Sequence, residues 1–242
     1  FISDAAVAEE ILDTLAAEAT PAFIFAITMQ NHSPYGDGRY GEVETGTVRV
    51  DLPSISAAGV RDYVHGIRDA DAMLDSLTRR LAASERRVLL VFLGDHQPNL
   101  VPVETEPGQF SQSLRPDAVA PNIRIGRKFV GPALAWSSRG RPAAPPAAVS
   151  LAALPAWVLR QANLPLPPFF RLSEHVFGRF PVLHRNWGVT ADGKACPLRL
   201  PFTDPVLQDY QVVCHDLLLG KNFSRFEMRR FGGEKPDVPP PP

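Results

Sequence analysis

Apolar residues fall along this chain in two kinds of spacing. Short unbroken runs occur at Ala22–Thr28 (AFIFAIT), Val88–Leu93 (VLLVFL) and, after Gly131-Pro132, Ala133–Trp136 (ALAW). Each predicts a strand: Val88–Leu93, short for a helix, fits one buried on both faces, Ala22–Thr28 reads as a second buried strand, and Ala133–Trp136 is a third candidate. Elsewhere apolar positions recur three and four residues apart, the stripe of an amphipathic helix. That spacing predicts helices over Ala5–Glu18, with Asp4 as N-cap, and over Ala57–Ala83, with Val60, Tyr63, Val64, Ile67, Met73, Leu74, Leu77 and Leu81 facing inward. His65 lies off that stripe and reads as solvated. Further helices are predicted after Ser150 as cap (Leu151, Leu154, Val158, Leu159, kinked at Pro155), over Phe169–Phe180, and over Asp204–Leu219 with Gly220 as stop. The strand–helix–strand order from residue 22 to residue 93 predicts a right-handed crossover and a parallel strand pair. The fold class expected is therefore α/β: an α/β/α sandwich with a mostly parallel central sheet.

The remaining segments are punctuated by glycine, proline and polar residues. Residues 36–56 read as a surface excursion with a short strand at Thr47–Val50. Asn99–Lys128 reads as irregular, with one extended piece at Asn122–Ile125. Proline, at 25 of 242 residues, is about twice as common as usual. It concentrates in Arg141–Pro146, Leu164–Pro168 and the tail, so the organisation expected is one portion over residues 1–232 and a disordered proline-rich tail over 233–242.

Composition narrows the function. A net charge of −1 gives no basis for nucleic acid as a partner. No window approaches the roughly 20 apolar residues of a membrane span. Cys196 and Cys214 either pair, which requires an oxidising compartment, or remain two buried thiols. The start at Phe1, without methionine or a signal pattern, suggests an excised piece.

Candidate chemistry gathers where two of the predicted strands end. The first delivers Met29-Gln30-Asn31-His32-Ser33-Pro34-Tyr35 to a loop, the second Gly94-Asp95-His96-Gln97-Pro98. Ligands of open α/β sheets sit beyond the carboxyl ends of strands. An aspartate beside a neutral imidazole suits a divalent metal. The plainer alternative makes Asp95 a local cap and His96 a loop residue. If the strands are parallel neighbours, His32 and the Asp95-His96 pair open onto one edge. His175 and His215, each inside a predicted helix, read as non-ligands.

The ordered set TMQNHSPY, YVHGIRDADAMLDSL, VFLGDHQP and LQDYQVVCHDLLLGKNFS, spread over residues 3 to 225, resembles the C-terminal half of the lipoteichoic-acid-synthase-like sulfatase family, within the alkaline phosphatase superfamily. The resemblance implies an alkaline-phosphatase-like fold, incomplete at its N-terminus. It implies one divalent metal, Mn2+ or Zn2+, with Asp95 and His96 among its ligands. It implies a catalytic and substrate-binding role for His32, with Asn31 beside it as a substrate-binding residue. The family's glutamate ligand and nucleophilic threonine lie far upstream of the histidine. Here Thr14, Thr20, Thr45 and Thr47 do not match that setting, so the chain is expected to be a fragment lacking the nucleophile and inactive alone. The parent would be a phosphoglycerol-transferase-like enzyme acting on a phosphate or sulfate ester, lipid-linked or on a glycan. It would be anchored in the cell membrane by N-terminal helices, with this portion on the periplasmic or extracellular side. Phosphoethanolamine transferases follow Asp-His with Gly-Glu, unlike Gln97-Pro98 here. A sulfatase, and a non-catalytic module retaining the fold, are the alternatives.

Overall fold

The computed structural model describes residues 2–41, 49, 54–96, 98, 100, 131–143, 148–184 and 187–224. The readings at Thr47–Val50 and Asn122–Ile125, and the tail beyond Gly232, lie outside the described residues. The chain divides into two units, Phe1–Arg141 and Pro142–Pro242.

In the first unit, helix α1 (Asp4–Ala17) and the long helix α2 (Ser54–Ala83) pack on a two-stranded ribbon, β1 (Leu89–Leu93) and β2 (Ala133–Ser137). The core is Ala8 of α1 with Met73, Leu77 and Leu81 of α2, closed by Ile11, Leu12, Leu15, Leu90, Phe92 and Trp136. Leu90 and Phe92 are two residues apart in β1, so they share the face turned to the helices. Leu90 stands opposite Trp136 across the ribbon. The α1 N-cap is Ser3, whose Oγ accepts from the Ala6 N–H at 3.1 Å; Asp4 is the first helical residue and is buried at 1% exposure, so the expected cap is displaced by one position. At the far end of α1 the Arg86 guanidinium donates to the carbonyls of Leu15 (2.9 Å), Glu18 and Thr20 (2.8 Å), a cation against the negative end of a helix.

Two sequence expectations fail here. β1 and β2 run antiparallel, with Leu89 opposite Ser137 and Leu93 opposite Ala133. Among the described residues the architecture is an α/β fold with two small antiparallel sheets, in place of the α/β/α sandwich with a mostly parallel central sheet. The run Ala22–Thr28 forms no strand. It exposes Phe23 (84%), Phe25 (78%) and Ile27 (65%), and its backbone makes no hydrogen bond among the described residues. The parallel crossover therefore has no first strand, and β1 pairs instead with a segment about forty residues later in sequence. Apolar runs report a preference for extended backbone; they carry no information on partner or direction. The ribbon closes tightly where β1 ends: the Gly94 N–H donates to the Pro132 carbonyl at 3.0 Å, and a side chain at Gly131 would stand 2.5 Å from the Gly94 carbonyl oxygen.

The second unit contains a 3-10 turn (Leu151–Ala153), helices α3 (Leu154–Gln161) and α4 (Pro168–Arg179), an antiparallel sheet β3 (Val182–Leu183), β4 (Trp187–Val189), β5 (Ala195–Pro197), and helix α5 (Pro205–Leu218). Its core is Val176, Phe180 and Leu207, ringed by Leu172, Leu198, Phe202 and Tyr210. Pro155 falls in the first turn of α3, where its missing N–H costs nothing. Ser150 does not cap that helix; its Oγ accepts from the Leu183 N–H at 2.8 Å and ties the turn to β3. Asp204 caps α5 through the Val206 N–H, 2.9 Å away, and pairs with Arg179 of α4 at 2.8 Å. Cys196 and Cys214 are free thiols.

Candidate functional site

The residues singled out by sequence meet in the first unit. The loop after residue 28 carries His32, and the turn after β1 carries Asp95 and His96. The rings of His32 and His96 stand edge to face, with centroids 6.5 Å apart and planes at 85°. Asp95 and His96 are solvent-facing, their side chains 80% and 64% exposed. The Asp95 carboxylate accepts from the His96 N–H at 2.9 Å through Oδ1, and its Oδ2 lies 3.5 Å from His96 Nε2. His32 Nδ1 is 2.7 Å from the Ser33 carbonyl oxygen. A carbonyl only accepts, so Nδ1 is the protonated nitrogen in this arrangement and Nε2 is left for other partners.

The His32 loop is held by groups that no local sequence pattern marks. Gln30 is locked on both sides of its amide: Oε1 accepts from the Asp4 N–H at 2.6 Å, and Nε2 donates to Asp69 Oδ2 at 2.5 Å. Asn31 turns its side chain onto α2, donating from Nδ2 to the Tyr63 carbonyl at 3.2 Å, while its Oδ1 is buried with no hydrogen-bond partner among the described residues. Gly66 makes room for it, since a Cβ there would overlap Asn31 Oδ1 and Cγ. The Tyr35 hydroxyl donates to the Asn31 carbonyl at 2.9 Å. Gly36, at φ +82°, bends the chain in a conformation that favours glycine, and its N–H donates to the buried Asp62 carboxylate at 2.5 Å. Arg39 then reaches back over the loop, its guanidinium bonded to the carbonyls of Gln30, His32 and Pro34. In sequence Asp69 alternates with arginines as on a solvated helix face, and Asp62 carries no signal of its own. Only the fold shows that they point at backbone and amide donors in the loop.

Behind the loop lies a small polar cluster. Burial, reinforced by the negative charge of Asp69, raises the Asp4 carboxyl above its ordinary value, against the lowering effect of the Gln30 backbone N–H. Tyr40 stacks on His65 with centroids 4.4 Å apart, and His65 Nδ1 lies 3.7 Å from Asp69 Oδ1. The expectation of a merely solvated His65 is corrected accordingly.

The donor set bears on a metal. Asp95 and His96 offer a carboxylate and an imidazole, and tetrahedral metal sites use four ligands. Among the described residues no group of three or more His, Cys, Asp or Glu side chains is placed to hold an ion. The described residues by themselves do not complete a metal site.

Of the other histidines, His175 is exposed on α4. His215 of α5 lines an apolar cavity of about 380 Å3 in the second unit, together with Leu198, Phe202, Tyr210 and Cys214. Burial, then the nearby Cys214, pushes the Tyr210 hydroxyl up to about 12, and burial raises the Cys214 thiol. Both groups are thereby kept neutral, which argues against nucleophilic chemistry there.

Comparison with known proteins now supplies the class. The Sulfatase family model matches residues 1–164. A Rhizobium meliloti (strain 1021) protein named for cyclic beta-1,2-glucan modification is 29% identical over 226 residues, covering 93% of this chain and 35% of that protein. The Streptococcus pyogenes phosphoglycerol transferase GacH, solved in complex with sn-glycerol-1-phosphate, superposes with a TM-score of 0.65 at 16% identity, covering 93% of this chain and 52% of that one. The chain thus spans about a third of the curated relative and about half of the solved structure. These matches define a fold of the hydrolases and transferases of the alkaline phosphatase superfamily, similar to lipoteichoic-acid-synthase-like proteins over most of its length. Within that class, the chain belongs to the sulfatase family. Among the described residues, no helix is long and apolar enough to cross a membrane.

Proposed function

We propose that this chain supplies His32, Asp95 and His96 to an ester-cleaving site that acts on a sulfate or phosphate ester outside the cytoplasmic membrane. The observation that carries this reading is the approach of the His32 and His96 rings to 6.5 Å, from two segments more than sixty residues apart in sequence. That spacing brings the His32 loop and the Asp95-His96 turn close enough to serve one tetrahedral ester group. With Nδ1 committed to Ser33, His32 presents Nε2 to the substrate. There, once Nε2 is protonated as well, it donates a hydrogen bond to a non-bridging oxygen or gives its proton to the departing alkoxide as the ester bond breaks. Asn31 contributes by holding the loop against α2.

In this reading Asp95 and His96 are two ligands of a divalent manganese or zinc, and the remaining donors come from outside the described residues. Bound there, such an ion polarises the ester oxygens. A sulfuric ester is favoured by the family match over residues 1–164. Phosphoglycerol transfer is the second reading, supported by the likeness to the phosphoglycerol transferase fold. The name of the curated relative favours a glycan as the carrier of the ester.

The test assays the complete protein on p-nitrophenyl sulfate and on bis-p-nitrophenyl phosphate, with manganese or zinc added, for the parent, H32Q and H96A. Sulfate release that is lost in both variants while the fold persists supports the leading reading. Release from the phosphodiester alone transfers support to the second. Turnover that is unchanged in H96A removes its assigned role, and no turnover on either ester leaves a non-catalytic module.

A further inference from the structure

We infer that Arg39 is the positioning residue of His32: its guanidinium sets the orientation of the imidazole by gripping the backbone on both sides of it. The inference builds on the reading of His32 as the ester-facing group. In sequence Arg39 sits in a glycine- and turn-rich segment that reads as a surface excursion. In the fold its side chain is only 14% exposed. Nη1 donates to the carbonyls of Gln30 at 2.9 Å and His32 at 3.0 Å, and Nη2 donates to the carbonyl of Pro34. The other edge of the same plane is bidentate on Asp37, Nε to Oδ1 and Nη2 to Oδ2, each at 3.0 Å.

The three carbonyls belong to alternate residues. The segment turns here, the His32 N–H donating to the Met29 carbonyl at 3.1 Å, and the turn leaves these three carbonyls within reach of one planar cation. The intervening carbonyls have partners of another kind. That of Asn31 accepts from the Tyr35 hydroxyl, and that of Ser33 lies 2.7 Å from His32 Nδ1. The imidazole is thus held by a carbonyl whose two flanking carbonyls are held by Arg39. Releasing the guanidinium frees the Ser33 peptide to rotate, and the ring loses its fixed partner. Lysine is no substitute: one ammonium with three donors does not span three carbonyls and two carboxylate oxygens. Because the guanidinium is spent on backbone and on Asp37, Arg39 acts through His32 and does not contact the ester.

The experiment records long-range 1H–15N spectra of the histidine rings in the full chain, with His32 assigned by its disappearance in H32Q. The parent is expected to show His32 as the Nδ1-protonated tautomer. R39A and R39K are both expected to shift it towards the Nε2-protonated form that predominates in free histidine, while the backbone amides of α1, α2 and the ribbon keep their positions. On whichever ester the complete protein cleaves, both variants should lower kcat on the order of 100-fold, with KM changed only a few-fold. A parent-like His32 tautomer in R39A overturns the inference. If R39A does not fold, R39K decides, and a parent-like tautomer there overturns it equally. The spectral result stands apart from the ester reading: loss of the Nδ1 tautomer with no turnover on any ester upholds the clamp and removes only the reaction.

Discussion

Gly66→Ala is the sharpest perturbation available, because two effects of similar size oppose each other. Gly66 lies inside α2, where alanine is the better helix former by about 1 kcal/mol. Against this, a Cβ at Gly66 would overlap the Asn31 carboxamide and stand 2.9 Å from Asn31 Cβ. The far end of an asparagine can swing away; its Cβ is fixed to the backbone, so the His32 loop itself must move. Overpacking of this kind costs about 1–3 kcal/mol. Loss of the Asn31–Tyr63 hydrogen bond adds about 1 kcal/mol. The net expectation is destabilisation by about 1–3 kcal/mol. Gly59→Ala in the same helix is the control. A Cβ there meets Tyr35 Cβ at 3.5 Å and Leu100 Cδ2 at 3.8 Å, ordinary contacts, so helix propensity should win and stabilise by up to about 1 kcal/mol. Equilibrium urea unfolding followed by tryptophan fluorescence reads both variants, with Trp136 in the first unit's core as reporter. The reasoning is refuted if G66A is as stable as the parent or more so.

Three further expectations concern other parts of the molecule. Leu207→Ala, at a side chain only 2% exposed in the second unit's core, should cost about 2–5 kcal/mol, visible as a lowered denaturant midpoint; a cost below 0.5 kcal/mol would show that the site collapses around the cavity or was never packed. The Asp4 carboxyl is raised in the folded state, so folding binds its proton more tightly than the unfolded chain does; its contribution is full below the ordinary value of 3.8 and is lost as pH rises through the raised folded value. The stability of Asp4→Asn relative to the parent should therefore increase with pH across that window, and a flat difference would show that Asp4 is not desolvated. Finally, Cys196 and Cys214 should both titrate as free thiols in unfolded, unreduced protein, with Cys214 slow to react in the native state because burial raises its thiol; fewer than two thiols in the unfolded protein would contradict the structure.

Helices were the legible part of this sequence. The long stripe from Val60 to Leu81, with Ile67 as its exposed exception, describes a face that a helix buries wherever it packs, and Phe169–Phe180 likewise reads as a helix. Strands were legible as extended segments only. Val88–Leu93 and Ala133–Trp136 read as strands and form β1 and β2, but β1 is half-buried along its length instead of buried on both faces, and nothing in the two runs states that they pair with each other or run antiparallel. Ala22–Thr28 had the same composition and found no partner among the described residues. The site divides along similar lines. A histidine after one apolar run and an Asp-His pair after another are local signals, and the chain places them together. The groups that position them are long-range and polar. Asp62, Asp69 and Gly66 sit on α2 and act on a loop some thirty residues earlier, and Arg39 acts on carbonyls that every residue possesses. No side-chain pattern announces a bond to a backbone carbonyl.

The exposed stretch 22–28 is tethered at both ends. Arg86 holds the Thr20 carbonyl at 2.8 Å, and the amide of Gln30 is held by Asp4 and Asp69. Its course is set by these two moorings, as a washing line is set by its posts, and its aromatic side chains add little to it. Polar replacements at Phe23 and Phe25 therefore offer a route to a more soluble preparation that keeps the histidine loop where it is, a practical gain for anyone handling the chain at high concentration.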